Sequence, residues 1–395
     1  MTVAAPPGNE RYRSQSAHEA TSRAVRLIWL ALAFLLLAVI VGFGWDRAWH
    51  ATHPFEDFWS PPHIFIYTTL AITAGILFRA VRDVEVRECF GREDISLPVA
   101  GLVPSALFLP VWGMVTIFSA GALDSIWHTT FGLDETGWSL PHAMLGWGLL
   151  LTLFGLVAAR LAISGAPIGW FGRGLMALLV VSSVTGVLLG PLGGNNTPEV
   201  VLAIASLPVL ANESEAQHTF RIYLEWNITR TAPLFVPVAA LASGIALQLG
   251  RALVPSARGL LLIVTVTTLF SMSGELRTAR YFGIEDDPQN WLPVPLLPAL
   301  LAFLVCLAVR CPEMVAWLVA GLTFGVIATS WWEAPGFLSL VAAAVMLPGA
   351  RIGVVLEKVI RSPTPLATRN LTLSFGLAAP LCLGAIDLYL RTNTA

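Results

Sequence analysis

Residues 27–43 read LIWLALAFLLLAVIVGF, an unbroken apolar run without a single charge. A run of about 17 to 25 such residues can cross the hydrocarbon core of a bilayer as one helix. It can do so because a helix pairs its own backbone N–H and C=O groups, which lipid cannot. The run is longer than a signal-peptide core, and no small-x-small cleavage site follows it. It therefore predicts a retained first span, near 27–45, behind a polar tail of residues 1–26.

The rest of the chain agrees. Of its 395 residues 56% are hydrophobic and 12% charged, where a soluble domain carries about a quarter as charged residues. Further spans are expected near 61–80, 98–121, 140–160, 174–191, 232–250, 259–274, 292–310, 313–330, 336–349 and 370–390. The expectation is an all-α, polytopic membrane bundle of about eleven helices. A net charge of -2 without a basic run argues against a nucleic-acid partner. The four cysteines, Cys89, Cys306, Cys311 and Cys382, form no C-x-x-C pair. Neither a thiolate zinc site nor a redox dithiol is indicated.

With the N-terminus cytoplasmic, only Arg47, Arg221, Arg230, Arg277, Arg280 and Arg391 of the 23 basic residues fall on the outer side. That is the bias of the positive-inside rule. It places six of the seven histidines, all but His18, at the outer ends of helices or in outer loops. The expected setting is a plasma membrane, with the site on its extracytoplasmic face.

There the chain writes one phrase twice. Residues 46–63 read DRAWHATHPFEDFWSPPH and residues 124–142 read DSIWHTTFGLDETGWSLPH. Each opens Asp-x-x-Trp-His, passes an acidic pair, and closes Trp-Ser-x-Pro-His. Asp46 and His50, like Asp124 and His128, are four apart, which puts them on one helix face. His63 and His142 follow prolines, at the start of the next helix, where proline is tolerated. Residues 27–165 are thus two repeated hairpins, each presenting an Asp and two His; residues 166–395 add further spans. Two imidazoles and a carboxylate suit zinc, copper, nickel or non-haem iron, and three protein ligands leave a position open. Glu56, Asp57, Asp134 and Glu135 would accept the second imidazole N–H, and Trp59 and Trp138 would wall the pocket. The competing reading is structural: hydrogen-bonded caps kept from a duplication, with the tryptophans as an interfacial belt. Ionisable residues at membrane depth are costly and mark function more often than not.

The spacing Asp-x3-His-x12-His, followed by IFIY and preceded by EDFWSPPH at its close, resembles the metal-binding stretch of the C subunit of copper membrane monooxygenases. The resemblance covers about residues 27–165. It implies copper ligand roles for Asp46, His50 and His63, one or two copper ions, partner subunits, and oxidation of a small lipophilic substrate from the bilayer. The second phrase matches the family's Asn-x3-His-x13-His with Asp124 in place of the asparagine, which implies a second metal position at His128 and His142. Zinc and iron fit the same ligand types. A metal or small-solute transporter is the main alternative, since paired repeats are common in transporters. Against it, the apolar spans carry no ladder of ionisable groups toward the inner face. A non-catalytic membrane subunit is the third reading.

Overall fold

The computed structural model describes residues 8–50, 59–91, 94–97, 101–131, 139–189, 236–281, 296–331 and 335–392. Helices dominate them. The first, α1 (Gly8–Leu37), passes through a π turn at Ala38–Gly42 into α2 (Phe43–His50). The polar tail is therefore helical from Gly8 and continuous with the first span. After Pro7 it has no helix breaker, and Ala20 and Ala24 are already buried along the face that continues through Ile28.

Helix α3 (Pro61–Arg82) returns beside α1, and Asp83 then caps the short α4 (Val84–Glu88) by accepting the Val86 N–H at 3.2 Å. Next comes the one exception to an all-α reading among the described residues. Strands β1 (Asp94–Leu97) and β2 (Gly101–Pro104) form an antiparallel ribbon, Asp94 opposite Pro104 and Leu97 opposite Gly101. The span expected from residue 98 accordingly begins later, at Ser105. Gly101, at φ +72°, and Pro104 punctuate that apolar run and divert its start into a strand.

Helices α5 (Ser105–Phe131) and α6 (Leu140–Ala162) form the second hairpin. They are followed by α7 (Trp170–Leu189), α8 (Val236–Leu253), α9 (Ala257–Tyr281) and α10 (Leu296–Ala308). Then come α11 (Glu313–Trp331) and α12 (Leu338–Arg361). The chain closes with α13 (Pro365–Leu373), a π turn at Ser374–Ala378, and α14 (Ala379–Thr392). Among the described residues nine helical stretches are long and apolar enough to cross a membrane; two shorter apolar ones, at Ala257–Leu269 and Leu296–Ala308, cover the remaining expected spans. Helix α12 outruns its expected end by a dozen residues, since Pro348 is accommodated inside it. Neighbouring helices can satisfy the backbone groups that such a proline frees.

The core is built around α6. Every residue from Gly148 to Arg160 is buried, the mark of a helix that is apolar all round. It is flanked by α1, α5, α7, α12 and α14. Lipid offers no hydrophobic drive between helices, so close backbone approach at small residues and interhelical hydrogen bonds hold them. Gly321 and Gly325 of α11 lie against Ala343 and Ser339 of α12, and Thr329 Oγ1 meets Ser339 Oγ at 2.9 Å. At the end of the bundle where α3 and α6 finish, Arg23 pairs with Asp83 at 3.4 Å and also with Glu85. Arg160 donates from both Nη atoms to the Ala166 carbonyl at 3.1 Å. Arg251 pairs with Glu313 at 2.8 Å.

Candidate metal centre

The closing motif of each phrase, Trp-Ser-x-Pro-His, folds into the same helix start. Ser60 and Ser139 are the N-caps of α3 and α6, with φ/ψ of -57/151° and -48/151°. Their carbonyls accept from Ile64 N at 3.0 Å and Ala143 N at 2.8 Å. Proline occupies the first turn, where its missing N–H costs nothing. Each histidine lands on the third helical residue, His63 in α3 and His142 in α6. Both are half-buried.

The two imidazoles are then used differently. His63 Nε2 lies 3.1 Å from Asp46 Oδ1, and each side chain is 17% exposed. His142 instead meets its own cap, with Ser139 Oγ 3.0 Å from Nδ1. With Nδ1 engaged, a metal would be taken by Nε2. Ser60 Oγ is buried and makes no such bond among the described residues.

The residue that joins the two phrases is Tyr67, one turn below His63 on α3. Its ring stands edge-on to His63, centroids 6.5 Å apart, and lies 6.4 Å from Phe118 of α5. Its hydroxyl rests against Gly121, one turn below Asp124. It is within electrostatic reach of both Asp124 and Asp46. The structure thus brings Asp46, His63, Tyr67 and Asp124 to one end of the bundle, between α2, α3 and α5. Trp127 is buried and Trp49 half-buried beside the two aspartates on their helices. Trp59 is 72% exposed.

His50 and His128 stand on α2 and α5, four residues after Asp46 and Asp124, but their side chains lie outside the described residues. Glu56, Asp57, Asp134, Glu135 and Trp138 also lie outside them. Among the described residues no three His, Cys, Asp or Glu side chains form a complete ligand group. Sequence reasoning missed Tyr67. The signal was its position four residues after His63, on the same helix face. Compared with protein-family models, curated proteins and solved structures, the chain matches none.

Proposed function

We propose that the chain is a membrane metalloprotein, a copper-dependent monooxygenase or a subunit of one, oxidising a small lipophilic substrate at the outer membrane face. Asp46, His50 and His63 would hold one copper position, and Asp124, His128 and His142 the second. The observation that carries this reading is the convergence of the two phrases: Asp46 on His63 at 3.1 Å, with Tyr67, one turn from His63, resting against Gly121, one turn from Asp124.

The residues fit a metal. Two ligands each about 2.0–2.2 Å from one ion stand roughly 3 Å apart, which is the Asp46–His63 separation. The same distance suits a charge-assisted hydrogen bond, so stoichiometry has to decide. The donor set of imidazole nitrogen and carboxylate oxygen, without thiolate, suits Cu(II), zinc or iron. Bound copper would supply redox chemistry that no side chain here provides. The chain's own contribution would be to set Asp46 beside His63, to orient the His142 imidazole through Ser139, and to let an apolar substrate arrive laterally from the bilayer.

The deciding experiment is metal analysis of detergent-purified protein after anaerobic loading with copper, iron and zinc. One or two coppers per chain are expected, and, once an external two-electron reductant is supplied, oxygen consumption stimulated by a short hydrocarbon. Sub-stoichiometric metal would refute the proposal. Metal uptake into vesicles without oxygen consumption would redirect it to transport.

A further inference from the structure

Helix α3 is gripped by two glycines, and each lies one turn below a candidate carboxylate ligand. Gly42 ends the first π turn and is buried; a Cβ on it would stand 2.5 Å from Ile66 Cγ1. Gly121 of α5 is also buried; a Cβ there would stand 2.5 Å from Tyr67 Oη and 2.7 Å from its Cζ. Ile66 and Tyr67 are adjacent on α3, about 100° apart around the helix. The two glycines therefore press on α3 at one height, from two directions.

One turn nearer the end of the bundle, the same three helices present Asp46, His63 and Asp124. Asp46 follows Gly42 by four residues, and Asp124 follows Gly121 by three. His63 precedes Ile66 by three and Tyr67 by four. Contact at the glycines and contact at the ligands are thus one helical turn apart, and the first sets the reach of the second. Ile66 is 2% exposed, and the Tyr67 ring packs near His63 and Phe118, so a Cβ at either glycine has to displace a packed side chain. π turns recur at functional sites, and this one leads directly into the helix that carries Asp46.

We propose that Gly42 and Gly121 are positioning residues of the metal centre. They set the α2–α3 and α3–α5 separations that let both carboxylates reach the histidine-bearing helix. This rests on the metal-centre reading above. A methyl group at either position would push its helix away from α3 and open the Asp46–His63 contact or withdraw Asp124. Supporting groups of this kind typically cost about 10–100-fold in metal affinity when disturbed.

The test titrates Cu(II) into the full chain in detergent, read by affinity and by the EPR hyperfine pattern, with thermal melting alongside. Gly42→Ala is expected to lose about 10–100-fold in Cu(II) affinity and to change its EPR pattern. The control is Gly75→Ala, also on α3, where a Cβ meets nothing within 4 Å; it should bind like the parent. Ile66→Ala, which supplies the missing space, should restore binding in the Gly42→Ala background. Gly42→Ala binding copper with parental affinity would overturn the proposal. If that variant does not assemble, the double variant decides. A folded Gly42→Ala/Ile66→Ala protein that stays defective, while Ile66→Ala alone binds, overturns it equally. Absence of copper from the parent chain is a different result. It removes the metal reading itself, and the positioning role with it.

Discussion

Under the proposed copper-monooxygenase reading, Asp124 stands where that family carries a neutral amide. A carboxylate is the stronger ligand for a divalent ion, and it offsets part of the ion's charge where the dielectric is low. Replacing Asp124 by Asn is therefore expected to weaken the second metal position selectively, and Asp46→Asn the first. Metal counts in the two single variants and the double variant check this. Near-complete loss from either single change would mean one shared dinuclear centre, and no loss from Asp124→Asn would show that this carboxylate is not a ligand. The two cap serines offer a sharper contrast. Ser139 Oγ holds His142 Nδ1, whereas Ser60 Oγ is buried without a hydrogen bond among the described residues. Ser139→Ala should cost the second position about tenfold in metal affinity, while Ser60→Ala should leave binding unchanged and stability equal or slightly higher. Equal effects at the two serines would mean that Ser139 does not orient the ring. At this scale the sequence displayed the residue types and their spacing, because a phrase written twice is visible without structure. It did not display Tyr67, whose role arises from what another helix brings to it.

The elements were legible where apolar length decided them and illegible where punctuation or polar surface did. Each expected span overlaps a helix among the described residues, since a long apolar run has no other way to pair its backbone in lipid. The ribbon at Asp94–Pro104 was hidden because its second strand is as apolar as the helix that follows; only Gly101 and Pro104 hinted at the break. The polar start of α1 was hidden for the opposite reason: its helicity comes from packing of Ala20, Ala24 and Ile28, not from hydropathy. The far end of α6 shows how one residue secures an element. Arg160 is 3% exposed, bonds the Ala166 carbonyl through both Nη atoms, and lies 5.9 Å from the Trp29 ring centre. It ties the end of α6 to the following turn and to α1 at once. Lysine has neither the planar fork nor the stacking surface. Arg160→Lys should destabilise the protein by about 1–3 kcal/mol, read as a lower melting temperature in detergent with metal content per folded chain unchanged. An unaltered melting temperature would mean that the fork is dispensable.

At the scale of the whole molecule, the two ends of the bundle differ in chemistry. One end holds Asp46, His63, Tyr67, Asp124 and His142. The opposite end holds the ion pairs Arg23–Asp83 and Arg251–Glu313 and the buried Arg160. Basic residues crowd the second end, as they do on the cytoplasmic side of membrane proteins, and the proposal that the metal centre faces outward rests on that bias. Single cysteines test the assignment in intact cells with a membrane-impermeant maleimide. A cysteine at Asp57 should label from outside, and one at Glu88, which is exposed on α4, should label only after the membrane is opened. The neighbouring Cys89 must first be replaced by serine. Burial, with Glu88 and Asp83 adding to it against Thr21 and Arg23, pushes its thiol above the ordinary value. A raised value means less thiolate at neutral pH, so native Cys89 should label slowly in opened membranes, and faster as the pH is raised. Accessible Glu88→Cys with protected Asp57→Cys would reverse the bundle. The two phrases would then face the cytoplasm, where glutathione holds copper as Cu(I), and imidazole–carboxylate ligation would favour zinc or iron over copper.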